Sequence, residues 1–216
     1  MDKVVTEEKK IEGEVSTIID EDRVVGFSDA VFAFAATLLV LKIDLPQVVR
    51  SQLETNFPAV FATLWPQYMA NIISFLVIGY YWLNHHAIFS LLKRFNSTIV
   101  WINLVFLIFL SFIPFPVDLY GDYPTLSTVV VFYSASLAFT GYFLAGIWWY
   151  ASHNHRLVSK ELSDRTIQYY LTRLLIAPIV FTISIPLVYI HPALAQISWI
   201  FIVIGTLYLN SIFRKK

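Results

Sequence analysis

The chain has no cysteine. Disulfides, thiolate nucleophiles and cysteine-based metal sites are excluded at once. It also has little charge. Only 14% of its 216 residues are Asp, Glu, Lys or Arg, and the formal net charge is zero, whereas average soluble domains are about 25% charged. A balanced chain suggests no basic patch for nucleic acid. Residues 1–22 lack the apolar run of a signal peptide and mix acids with Lys3, Lys9 and Lys10. They read as a short polar cytoplasmic tail. There is no low-complexity segment and no obvious internal repeat.

What is present is apolar. Hydrophobic residues make up 57% of the chain, with 18 Phe, 12 Tyr and 6 Trp. Such a composition belongs to an all-α integral membrane protein with aromatic side chains at its interfaces. Six apolar segments can be marked, at residues 23–43, 66–89, 98–113, 126–150, 166–190 and 193–213. The first is roughly the length that a 30 Å hydrocarbon layer requires. Pro46 closes the first, and Pro114 with Pro116 the third. Residues 118–124 read as a turn-rich loop. Pro178 and Pro186 are expected to kink or shorten the fifth. Residues 23–213 thus form one transmembrane domain, and 214–216 a basic end.

Basic residues set the orientation. Lys93 and Arg94 follow the second span, Arg156, Lys160 and Arg165 the fourth, and Arg214, Lys215 and Lys216 the sixth. The opposite loops carry only Lys42 and Arg50. The expectation is a multi-pass protein of the cell membrane with both termini in the cytoplasm.

The chain is organised around residues 23–45, RVVGFSDAVFAFAATLLVLKIDL. A plain anchor would be Leu and Val throughout. This segment carries Arg23, Ser28, Asp29 and Thr37 among many small residues, which marks a packed, working helix. At about 100° per residue, Phe27, Ala30, Phe34, Thr37, Leu38 and Leu41 share one stripe. The bland reading of such a stripe is a lipid-facing or core surface.

The polar residues share a depth. Ser28 and Asp29, Asn84, His85 and His86, Asn103 and Arg173 all fall in the cytoplasmic leaflet by the spans above. Polar groups in hydrocarbon need partners, so one hydrogen-bonded cluster is expected, with Arg173 as counter-charge. A Ser, His and Asp set invites a hydrolase reading, but no strained turn or oxyanion donor accompanies the serine. His85 and His86 are adjacent, so they point about 100° apart on a helix and do not easily share one metal or haem. A clamp fixing the first helix is the plainer reading, and a proton-sensing role the livelier one.

Several stretches together resemble the opening half of the transmembrane protein 175 family, endolysosomal potassium channels of animals and their bacterial and archaeal relatives. They are Arg23-x-x-x-Phe27-Ser28-Asp29 with the Ala-Val-Phe-Ala-Phe-Ala-Ala-Thr run after it, Leu64-Trp65-Pro66-Gln67, Ser74 to Gly79, Trp82-Leu83-Asn84-His85-His86, and Ser111 to Pro116. The second half resembles the family by hydropathy alone. The resemblance implies a homotetrameric, potassium-permeable channel of the leak type, with the first helix of each subunit lining the axis. Phe34, Thr37, Leu38 and Leu41 would then face the pore, as a hydrophobic constriction with a transient potassium ion near the Thr37 hydroxyls. The Thr-Val-Gly-Tyr-Gly run of carbonyl filters is missing, which agrees with a pore of another kind. One departure stands out, since Phe34 occupies the narrowest position, where the family usually has Ile. Asp44 would ring the outer mouth and raise local cation concentration. The implied partners are copies of the chain itself, the lipid bilayer and monovalent cations, with no cofactor, no resident metal and no catalytic residue. The alternative is a proton-conducting channel or proton-coupled transporter using Asp29 with His85 or His86. Against it stands the clustering of titratable groups in one leaflet.

Overall fold

A computed structural model of the chain describes residues 21–41, 43 and 50–214. Asp44, the tail 1–20 and the last two lysines lie outside the described residues. The helices are α1 (Glu21–Val40), α2 (Arg50–Thr63), α3 (Trp65–Phe89), α4 (Ser97–Phe112), α5 (Pro114–Asp122), α6 (Ser127–Ser152), α7 (Asp164–Val188), α8 (Pro192–Ser198) and α9 (Ile200–Arg214). Among the described residues, six segments are long and apolar enough to cross a membrane: α1, α3, α4 with α5, α6 with its 3-10 extension, α7, and α8 with α9. Helices satisfy every backbone group internally, which hydrocarbon demands.

Helix ends follow local chemistry. Asn96 starts α4 by accepting from the Ile99 N–H at 3.0 Å, and Ser163 starts α7 by accepting from Thr166 N–H at 3.2 Å. His191 Nδ1 accepts from Ala193 N–H at 3.1 Å ahead of Pro192 in the first turn of α8. These side chains satisfy donors that a helix leaves unpaired.

One proline expectation needs correcting. Pro114 and Pro116 end α4 but begin α5, so 118–122 is helix rather than loop. Proline suits a first turn, because its missing N–H would have had no partner there. Pro178 and Pro186 lie inside α7, which runs on to Val188. Neighbouring helices and hydroxyls accommodate such prolines in membranes. Opposite Pro178 stands Gly141, where an added Cβ would meet Pro178 at 3.0 Å and the Tyr81 hydroxyl at 2.9 Å. Gly141 therefore lets α6 and α7 approach closely.

The core runs along α6. Tyr133, Leu137, Leu144 and Trp148 on this helix are fully buried. Tyr133 stacks on Tyr120 at 4.6 Å between centroids, and its hydroxyl meets Ser74 at 3.0 Å. Tyr81 donates to the Leu137 carbonyl at 2.8 Å, and Ser184 donates to Ser134 at 3.0 Å. Water does not drive helices together inside lipid, so close packing and such bonds must do so. At the end where α3 stops and α7 starts, Lys93 N–H donates to the Leu157 carbonyl at 2.8 Å. This contact ties two loops together and fixes where α3 and α4 turn.

Candidate functional site

Helix α1 has two unlike faces. Ser28, Phe32, Ala35 and Leu39 are buried against the rest of the subunit. Phe27, Ala30, Phe34, Thr37 and Leu41 are exposed, Phe34 by 61% and Leu41 by 73%. At about 100° per residue the exposed arc centres on Ala30 and Thr37, opposite the buried one. Leu38 falls at the edge of that arc and is half-buried, a shift from the stripe read in the sequence. Leu41 lies in the turn just past the helix. The Thr37 hydroxyl donates to the Phe34 carbonyl at 2.9 Å. Its hydrogen is thereby committed, and the side chain is exposed.

The buried face of α1 carries a directed chain of hydrogen bonds. Ser28 Oγ donates to the Val24 carbonyl at 2.8 Å, so it must accept from its other neighbour. That neighbour is Asn103 Nδ2 on α4, at 2.9 Å. The amide is oriented by this bond, and Asn103 Oδ1 faces His85 Nε2 on α3 at 3.0 Å. Nε2 therefore carries the hydrogen. His85 Nδ1 is buried with no partner among the described residues, and the ring is stacked on Phe89 at 3.9 Å with Phe106 and Phe32 around it. Three helices are joined through three side chains. Among the described residues the chain ends on the Val24 carbonyl of the helix itself.

Asp29 sits on the flank of α1 and takes a different partner. Trp82 Nε1 on α3 donates to Asp29 Oδ1 at 2.9 Å. His86 is exposed and tilts against the Trp82 ring at 6.0 Å. The two histidines of the motif thus belong to different surroundings, one buried and one open. Asn84 is buried, but it donates to the Tyr80 carbonyl of its own helix at 2.7 Å. Arg23 and Phe27 are exposed at the start of α1.

Arg173 is not part of this group, and the expected counter-charge to Asp29 is corrected. Its Nη1 donates to the Tyr169 hydroxyl at 3.2 Å, and its carbonyl accepts from Tyr80 at 2.7 Å. The reason is helix order. Helix α1 packs on α3, α4 and α5, whereas α7 packs on α6, α8 and α9. Shared depth put Arg173 and Asp29 at one level without making them neighbours.

Trp82 is the member that sequence reasoning missed. Sequence alone gives it only an interfacial or packing role, the same as for Trp148 and Trp199, both of which are buried. The available signal was its place at the head of the Trp-x-Asn-His-His motif, at the depth of Asp29.

Comparison with known proteins gives a consistent answer. The family described as endosomal/lysosomal potassium channel TMEM175 matches residues 23–114. A protein of Chamaesiphon minutus named a potassium channel is 37% identical over 150 residues, which is 66% of this chain and 71% of that protein. The Danio rerio protein named an endosomal/lysosomal proton channel is 28% identical over 132 residues, 54% of this chain but 25% of that protein. The crystal structure of a lysosomal potassium-selective channel TMEM175 homolog from Chamaesiphon minutus superposes with a TM-score of 0.75 at 27% identity, over 88% of this chain and 98% of that one. The family is one of ion channels, not enzymes. Ser28, Asp29, Trp82, His85 and Asn103 all fall within the matched stretch. On that agreement, the chain belongs to the TMEM175 family, as one of its prokaryotic members.

Proposed function

We propose that the chain forms a potassium-permeable channel, a homotetramer in which α1 of each subunit lines a central axis. The supporting observation is the exposed arc of α1. Bulky apolar residues, Phe34 and Leu41, alternate there with the exposed Thr37, whose hydrogen is given to its own helix and whose oxygen can still accept. Rings of Phe34 and Leu41, with Leu38 behind them, make a dry constriction that opens by wetting. A ring of Thr37 oxygens gives a partly dehydrated cation ligands about one turn from it. Potassium holds its water less tightly than sodium, so weak ligands in a narrow pore favour it. No cofactor takes part, and Asp44 at the outer mouth gathers cations.

The flank of α1 that turns toward α3 offers room for a neighbouring subunit. A groove of about 650 Å³ lies between α1 and α3, lined by Ala33, Ala36, Phe75, Gly79 and Leu83. A Cβ at Gly79 would meet nothing within 4 Å. Small residues let a second backbone come close. The bonds joining Ser28, Asn103 and His85 act as a clamp that holds the buried face of α1 while its other face meets the ion. Basic loops place both termini in the cytoplasm of a cell-membrane protein.

A second reading is proton conduction, favoured by the name of the Danio rerio relative. Among the described residues the hydrogen-bond chain through His85 ends on the Val24 carbonyl, which speaks against that histidine as a relay. The test is ion flux from purified protein in liposomes under separate potassium, sodium and proton gradients. A reversal potential that follows potassium supports the channel reading. One that follows only protons overturns it.

A further inference from the structure

We propose that the seam between α7 and α9 binds an anionic phospholipid, with its phosphate among Arg165, Tyr169 and Asn210 and an acyl chain in the apolar groove further along the same helices. The proposal needs the chain in a bilayer but does not rest on which helix lines the pore.

Two cavities lie along this seam. One, of about 760 Å³, is lined by Val77, Ala177, Phe181, Ile200, Val203 and Leu207, and its walls are almost wholly apolar. The other, of about 590 Å³, is lined by Arg165, Thr166, Tyr169, Tyr170, Asn210 and Phe213. On α9 the lining residues recur at helical spacing, from Ile200 through Val203, Leu207 and Asn210 to Phe213, so both cavities open on one face of that helix. That face is about 20 Å long. A single leaflet contributes about 15 Å of hydrocarbon, so one lipid with its headgroup at the Phe213 end spans it.

Charge distinguishes the two ends. Arg165 lies in the first turn of α7, and its guanidinium stands 5.2 Å from the centre of the Phe213 ring. Asp164 precedes it but does not line the cavity. The sequence beside Phe213 continues Arg214-Lys215-Lys216. One turn deeper than Tyr169 is Arg173. Its Nη1 bonds to the Tyr169 phenol, and its Nε is buried with no partner among the described residues. Tyr169 in turn donates to Asn210 Oδ1 at 2.7 Å. An arginine at this depth is costly unless its charge is answered. A phosphate in the cavity would answer the Arg165 guanidinium by contact and the Arg173 charge through space, since the Tyr169 hydrogen is already given to Asn210. Basic pockets between membrane helices that continue into an apolar groove have the polarity of a lipid. The occupant is thus a lipid rather than a second copy of the chain.

The experiment is native mass spectrometry of the purified full chain after exchange into phosphatidylglycerol or phosphatidylcholine, with inorganic phosphate as a third arm. The wild type is expected to retain phosphatidylglycerol about tenfold better than phosphatidylcholine, the scale of one charge-assisted contact. Arg165→Gln should erase that preference while keeping its melting temperature in detergent. Val203→Trp, which fills the apolar groove, should weaken retention of both lipids. Equal retention of the two lipids by the wild type overturns the proposal. So does equal stabilisation by inorganic phosphate, which would make the site one for a free anion. The chain has no cysteine, so a Leu207→Cys variant reports on the other occupant. Cross-linking between subunits through that position would place a second copy in the groove and overturn the lipid.

Discussion

Asn103 donates to Ser28 at 2.9 Å, and because the Ser28 hydrogen is already given to the Val24 carbonyl, the bond runs in one direction. Removing the amide orphans His85 Nε2, which has no other acceptor among the described residues. Burying a lone donor costs about 1–3 kcal/mol. Asn103→Leu is therefore expected to lower the melting temperature of the purified protein and to loosen its oligomer on gel filtration. The potassium-to-sodium permeability ratio of the remaining channels should be unchanged. A changed ratio at unchanged melting would remove this group from its holding role and place it in the conduction path.

Asp29 gives a cleaner contrast, because two substitutions separate its charge from its hydrogen bond. Trp82 needs one acceptor oxygen at 2.9 Å. Asp29→Asn keeps that oxygen, so it should stay within about 1 kcal/mol of wild type in thermal unfolding. Asp29→Leu leaves the indole N–H without its acceptor and should cost more. If both variants lose equal stability, the carboxylate charge matters in a way the Trp82 contact does not explain.

The spans were legible because a bilayer makes apolar length nearly equivalent to structure. The start of α4 at Ser97 and the end of α3 at Phe89 fall within a residue of the expectation. What was not legible depends on three dimensions. Pro114 looked like a stop because a stop and a first turn use the same residue. Arg173 shared a depth with Asp29, and depth is what one helix can report. Which helices touch is set by packing between segments far apart in the chain. Trp82 and Asp29 are 53 positions apart, and no periodicity joins them. The exposed arc of α1 was readable from its 3.6-residue repeat. Only the buried set of Ser28, Phe32, Ala35 and Leu39 moved its centre from Phe34 to Thr37.

Gly141 tests the packing of the second half of the chain. A methyl group there would lie 3.0 Å from Pro178 and 2.9 Å from the Tyr81 hydroxyl. Pro178 is ring-locked within α7, and Tyr81 is held by the Leu137 carbonyl, so neither yields easily. Gly141→Ala is expected to destabilise by about 1–3 kcal/mol, although alanine is the better helix former. Differential scanning fluorimetry in detergent reads this directly. A raised melting temperature would mean that α6 and α7 can separate without loss.

Thr37 and Phe34 carry the last prediction, and together they separate the gate from the ligand. Thr37→Val keeps shape but replaces an oxygen by a methyl group. If the oxygen, whose hydrogen is given to the Phe34 carbonyl, binds a partly dehydrated ion, preference for potassium over sodium should fall by about two- to tenfold, the worth of one modest polar contact. Total current need not fall, since the constriction keeps its bulk. Phe34→Ala should do the reverse. It shortens a side chain that is 61% exposed and widens any dry ring it forms, so resting flux should rise while the threonine oxygens stay in place. Fluxes from liposomes with potassium and sodium varied separately give both quantities in one experiment. If both variants behave as wild type, the exposed arc of α1 faces lipid, because an arc at the axis could not lose its oxygen or its bulk without a change in flux.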